Sequence, residues 1–314
     1  MTPPAPARLP SIRLLSGFPR QYLAGILILA CSTLFFSTSD MIAKLMAGAL
    51  PPFQLAWTRL AIFFAMASLL AMRSGIGTGI GIGIIRTRHK LLHVLRGAGV
   101  AGAALLMIVA LGYMPLSVAV SVNFVCPAIL TALSVVFLHE RVGPRRWAAV
   151  AAGLIGVVVI VRPGSEALQL AALIPVGAAF TWAVALLISR AIGASERAET
   201  TLLWSSASGF ALLSLTMPFV AVLPDWHDLL LSVVMGFCSA TGQTLIVLSY
   251  RRAPATVLAP FLYLQVIASV SMDNFIFGTL PDLQSLAGMA IIIGAGLYSI
   301  LCERRASRAA AAAG

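Results

Sequence analysis

Four charged residues stand inside long apolar runs of this chain, and they are where chemistry is to be sought first. They are Asp40 and Lys44 in the run 22–45, Arg59 in 53–72 and Asp273 in 255–277. A charge carried into the middle of an apolar helix costs a few kcal/mol or more, so each is by default a candidate for binding, gating or proton transfer. At 1.5 Å rise per residue, all four fall within roughly one or two turns of the same end of their helices. Asp40 and Lys44 are spaced i,i+4 and can pair locally. Lys44 can also stretch to the interface, which is its expected behaviour. Asp40 and Arg59 offer either a structural ion pair or a contact for a polar solute. Asp273 has no basic neighbour on its own run. Buried alone, it would favour its neutral form and exchange a proton. Met by Arg59, it would stay ionised and act as a latch.

Uncharged candidates lie deeper. Asn123, Cys126 and Pro127 fall in the run 116–138, and Pro260, Tyr263 and Gln265 in 255–277. Proline frees backbone carbonyls for a ligand or a neighbouring helix, and amides hydrogen-bond across helices. Tyr263 and Gln265 are two apart, so only one of them is expected to face a central cavity. Phe36 and Trp182 offer aromatic faces for stacking or for packing.

Other chemistries are poorly supplied. The four cysteines, Cys31, Cys126, Cys238 and Cys302, are far apart and show neither metal-ligand spacing nor a disulfide framework. His89 and His93 are four apart with no carboxylate or cysteine close in sequence, and read as interfacial basic residues. Glu140 reads as a partner for basic loop residues. No cofactor and no metal are expected. An intramembrane enzyme would need a nucleophile–base pair or a metal cluster at depth, and neither pattern is visible. A membrane scaffold or sensor is the other alternative, with no partner domain to support it. The glycine run 75–84 lies between two apolar segments rather than after a strand, and reads as a linker.

The elements that must position these residues are membrane helices. The chain has 314 residues, 60% hydrophobic and only 10% charged, with mean hydropathy +0.99. Spans of ~20 apolar residues account for this composition. Ten runs emerge, at 22–45, 53–72, 93–113, 116–138, 146–161, 168–190, 200–222, 228–249, 255–277 and 284–302. Residues 1–21 read as a disordered N-terminus and 303–314 as a tail. The net charge of +11 comes from short clusters in alternate loops, the pattern of loops facing anionic headgroups, and not from a nucleic-acid-binding domain. The bias places both termini and the basic loops in the cytoplasm of a multi-pass plasma-membrane (bacterial inner-membrane) protein.

The stretch 111–164 returns in diverged form at 248–302. A shift of 138 residues places Phe137 on Phe275, Ala149 on Ala287, Ile155 on Ile293 and Gly156 on Gly294. The expected fold is therefore all-α, with ten transmembrane helices in two five-helix repeats, 22–164 and 165–302. Five is odd, so the repeats are inverted, which allows two mirror-related conformations, the logic of alternating access.

Several motifs carry a family resemblance: FLHERVGPRRW (137–147), IVRPG (160–164), APATVLAPFLYLQ (253–265) and FGTLPD (277–282). Over roughly 22–302 the chain resembles the drug/metabolite transporter superfamily, and within it the EamA-type branch that includes S-adenosylmethionine and riboflavin uptake transporters. The resemblance implies ten helices with the fifth and tenth peripheral, a central cavity, and gradient-driven transport of a small organic solute without ATP. Partners would be that solute and the bilayer, with no nucleic acid; a homodimer stays open. Two departures stand out. Thr279 replaces a usual Glu, and Asp273-Asn274 replace a Gly and an aromatic.

Overall fold

The computed structural model describes residues 20–75, 87, 89–139, 142–161, 166–192, 196 and 198–313. Most of the glycine run, Glu140, Arg141 and the Pro163-Gly164 turn lie outside them. Among the described residues the regular structure is helical, with no strand beyond an isolated bridge at Ala47 and Leu50.

The helices run in chain order as α1 (Arg20–Leu45), α2 (Pro52–Gly75), α3 (Lys90–Leu111), α4 (Leu116–Asn123), α5 (Cys126–Leu138), α6 (Pro144–Val161) and α7 (Glu166–Ile192). They continue as α8 (Ala198–Ser214), α9 (Met217–Val220), α10 (Trp226–Tyr250), α11 (Ala255–Leu258), a 3-10 segment (Ala259–Tyr263), α12 (Leu264–Phe277) and α13 (Leu283–Ala313). Among the described residues, seven segments are long and apolar enough to cross a membrane, counting Leu116–Leu138 and Ala259–Phe277 each as one, and two shorter apolar helices cover Trp147–Val161 and Leu283–Ser299.

Three expected spans are broken, each at a proline. In the fourth, Pro127 lacks the N–H that would bond Asn123, and its ring crowds that carbonyl. The chain tightens instead into i→i−3 bonds, Phe124 N–H to Ser121 (3.1 Å) and Val125 N–H to Val122 (3.0 Å). Pro260 converts the start of the ninth span into the 3-10 segment. The seventh, expected as one helix over 200–222, stops at Ser214 and resumes only for Met217–Val220, because Pro218 cannot continue the bonding. α13 runs on through the tail 303–314, an alanine-rich stretch of high helix propensity, as far as Ala313.

Packing follows a regular plan. α1 lies along α10 and α3 along α7; α2 meets α8, α4 meets α12, and α6 meets α13. Small residues permit the closest approaches. At Gly97 an added Cβ would stand 2.7 Å from the Ser205 carbonyl and 2.9 Å from the Gly209 nitrogen. The main core includes Leu55, Leu111, Leu116, Val120, Val122, Val125 and Met235, all essentially inaccessible.

Candidate functional site

Helix direction sorts the polar residues into two groups. One lies at the end of the bundle marked by Leu45, Leu116 and Phe277. The other lies at the end carrying the arginine-rich segments, called here the basic end.

At the first end the centre is Asp273, which is fully buried. Its Oδ1 accepts from Lys44 Nζ at 3.1 Å and from Leu116 N–H at 3.1 Å, and its Oδ2 accepts from Ser117 N–H at 2.7 Å. Pro115 occupies the N-cap of α4 and offers no side-chain cap, so the carboxylate of α12 performs that task from outside. A helix N-terminus presents unpaired N–H groups and partial positive charge, which suits an anion. Lys44 also lies 4.5 Å from the Phe277 ring centroid. One carboxylate thus joins α12, α1 and α4.

This corrects two expectations. Lys44 does not stretch to the surface: it is the partner of Asp273. Arg59 does not reach Asp273, because it pairs with Asp40 at 3.0 Å, and its Nε donates to Ser239 Oγ of α10 at 2.7 Å. The i,i+4 pairing of Asp40 with Lys44 gives way because partners on α2 and α12 take each side chain.

At the basic end, His93 is fully buried, not interfacial, and its Nε2 is 2.6 Å from Glu196 Oε2. Thr87 Oγ1 donates to the other Glu196 oxygen. His93 also stacks near Trp204, with centroids 6.3 Å apart. His89, by contrast, is exposed. Arg96, one turn beyond His93, donates to Ser189 Oγ at 2.7 Å, to the Thr201 carbonyl at 3.3 Å and to Ser205 Oγ. Arg190 Nη1 reaches Ser134 Oγ at 3.4 Å, and Arg251 pairs with Glu199.

The deeper candidates separate. Phe36 packs on α10, where a Cβ at Gly242 would meet its ring at 3.1 Å. Trp182 is half-buried against the main core. Asn123 stands half-buried at the break after α4. Cys126 is buried, whereas Pro127 is exposed. Pro260 is half-buried within the 3-10 segment. Tyr263 turns toward α13: its ring lies 4.8 Å from Phe124, and a Cβ at Gly296 would come within 2.6 Å of its Cζ. Gln265 is half-buried, and its carbonyl accepts from Ser37 of α1 at 3.3 Å. Pro127, Thr131, Gly153 and Gly296 border a shallow groove formed by α5, α6 and α13 rather than at the bundle centre. Three buried hydroxyls, Ser117, Ser121 and Thr241, have no hydrogen-bond partner among the described residues. No group of three metal-ligating side chains occurs among the described residues.

Sequence reasoning missed Arg96, Glu196 and the pairing role of Lys44. For Lys44 and Arg96 the only signal was the position of each charge a turn or two inside an apolar segment; Glu196, in the loop between two runs, gave none.

A polytopic helical bundle with charge pairs at both ends defines a multi-pass membrane protein. Residues 23–162 match the EamA-like transporter family. A riboflavin transporter of Rhizobium johnstonii is 30% identical over 241 residues, covering 73% of this chain and 76% of the relative. An S-adenosylmethionine uptake transporter of Rickettsia conorii is 29% identical over 288 residues, covering 91% and 96%. A crystal structure superposes with a TM-score of 0.62 at 22% identity, covering 90% of this chain and 99% of the other, which shows a common fold. The chain belongs to the EamA-like transporter family, within the drug/metabolite transporters. It is a small-molecule transporter, in a family of transporters and not of enzymes.

Proposed function

We propose that the protein is a secondary transporter of the bacterial inner membrane that moves a small organic metabolite by alternating access. Its moving parts are two inverted halves, 22–164 and 165–302, with the basic loops and both termini in the cytoplasm. The observation that carries this reading is a matched pair of cross-half contacts. Asp273 and Ser134 each stand five residues before a left-handed helix cap, Gly278 and His139, and the backbone N–H of each cap bonds back to that residue's carbonyl. Each receives a cation from the first helix of the opposite half, Lys44 on α1 and Arg190 on α7. The caps are 139 residues apart, one beyond the 138-residue sequence shift, and the contacts lie at opposite ends of the bundle. The packing plan supports the same exchange, since α1 with α10 maps onto α7 with α3.

In this reading the ion pairs Lys44–Asp273 and Arg59–Asp40 latch one end. The solute passes at mid-depth between Phe36, Asn123, Trp182 and Gln265, where Pro127 and Pro260 interrupt the helices and leave backbone carbonyls unclaimed. In this reading Asp273 acts as a latch, because it ties α12 to Lys44 of α1 and to two backbone N–H groups of α4.

The relatives' names supply the first solutes to try, S-adenosylmethionine and riboflavin, each bearing a flat nitrogen heterocycle. Purified protein in liposomes preloaded with unlabelled solute should accumulate the labelled form by exchange. Flux equal to that of protein-free liposomes for both solutes would remove these two from the reading. Unequal reporter activity is expected for fusions after Arg252 and Asp225, active only at the first for a cytoplasm-dependent reporter. Activity at Asp225 would break the inverted topology.

A further inference from the structure

Two arginines cross-link three helices each, one near either end of the bundle. Arg59 joins α2 to Asp40 of α1 and to Ser239 of α10. Arg96 joins α3 to Ser189 of α7 and to Ser205 and Thr201 of α8. Exchange of the halves turns the first set, α1, α2 and α10, into the second, α7, α8 and α3. The charge balance does not follow. Arg59 has a carboxylate at 3.0 Å. Around Arg96 stand two hydroxyls and a carbonyl, with no Asp or Glu in ion-pair contact among the described residues, and its Nη2 donates no hydrogen bond there. Two acids described at that end are engaged elsewhere, Glu196 with His93 and Thr87, Glu199 with Arg251.

We propose that Arg96 is an oxyanion site: the transported solute carries a carboxylate or phosphate that supplies the missing counter-charge. This rests on the transporter reading. Arg96 is half-buried; a guanidinium partly withdrawn from water is costly without a counter-charge, and its planar fork matches carboxylates and phosphates. Arg96 lies six residues into α3, about 9 Å from Lys90 along the axis. Ser189, Ser205 and Thr201 hold the guanidinium between α7 and α8 of the other half. An anion captured there bridges the two halves, so loading the solute alters the contact that must open. A lipid phosphate offers the same chemistry, and the test separates the two sources.

Binding is measured by thermal shift on protein in nanodiscs of neutral phosphatidylcholine. The probes are matched pairs, S-adenosylmethionine against its decarboxylated form and riboflavin 5′-phosphate against riboflavin, with inorganic phosphate alone as a further probe. In the pair whose scaffold binds, the oxyanion member should bind roughly ten- to hundredfold more tightly, the worth of one charge-assisted contact. Arg96→Gln should erase that preference and leave the affinity of the oxyanion-free member unchanged. Ser189→Asp, which supplies Arg96 with a carboxylate as Asp40 does Arg59, should erase it as well and raise the melting temperature. The second variant keeps the proposal testable if the first fails to fold. Equal affinities within a pair, a preference that survives in Arg96→Gln, or no response of the wild type to any probe overturns the site. If Arg96→Gln loses only a stabilisation by phosphatidylglycerol nanodiscs, the occupant is a lipid headgroup and the solute assignment fails. Wild type that binds a solute but carries none in liposomes refutes transport of that solute and leaves the oxyanion site standing.

Discussion

Removing the Asp273 carboxylate should destabilise the protein more than removing its lysine partner. Asp273 is fully buried and accepts three charge-assisted bonds, one from Lys44 and two from the N-terminal amides of α4. At about 1.5–3 kcal/mol each, three such bonds set a ceiling of about 9 kcal/mol. Relaxation around the site lowers this, and breaking a buried pair by deleting one partner costs about 3–5 kcal/mol. Asp273→Ala should fall in that range, because it leaves a half-buried ammonium and two buried amides unpaired together. Lys44→Met leaves the carboxylate held by both amides and by the helix dipole, and should cost about 1–3 kcal/mol. Asp273→Asn retains one acceptor oxygen and should lie between the two. The double variant Lys44→Met/Asp273→Asn should be less destabilised than the sum of its singles, since the charges act as one unit. Reversible unfolding in mixed micelles of mild detergent and sodium dodecyl sulfate gives the four values. An Asp273→Ala variant no less stable than Lys44→Met would refute the capping role. Additive singles would refute the pair.

Three further outcomes follow from particular contacts. Gly97→Ala should cost about 1–3 kcal/mol by overpacking, because the neighbours of its added Cβ include the α8 backbone; Gly294→Ala, with nothing within 4 Å, is the near-neutral control in the same unfolding assay. Gly296→Ala should displace Tyr263 from α13 and break its contact with Phe124, detectable as altered tyrosine fluorescence. Cys31 is exposed and Cys126 buried, so a membrane-permeant maleimide should modify Cys31 first, and comparable rates at the two would place Cys126 on an accessible face.

How far the sequence reveals this molecule depends on whether a feature is local. The helices are local: apolar length sets them, and the breaks at Pro127, Pro260 and Pro218 follow from one missing N–H each, although the end of α8 at Ser214 was not foreseen. The run of α13 to Ala313 is local too, since alanines are strong helix formers. Charge partnership is not local. Asp40 has Lys44 four residues away yet pairs with Arg59 on another helix, and Lys44 crosses to Asp273, 229 positions on. A charge one or two turns inside a span has two outlets, the interface or a neighbouring helix, and the chain does not record which neighbour stands beside it.

Arg96 and His93 show the consequence most sharply. His93 reads as an interfacial basic residue, and counting Arg96 toward topology uses only its sign. The fold turns them inward, toward Glu196 and the hydroxyls of α7 and α8. The same arginine that marks an end of the bundle by its charge is therefore available to recognise a solute by its geometry. If Arg96→Gln alters solute preference without altering reporter topology, the two roles are separable. Reversed or mixed topology in that variant would mean that Arg96 acts in membrane insertion, and its contacts with Ser189 and Ser205 would then be a by-product of where the helix came to rest.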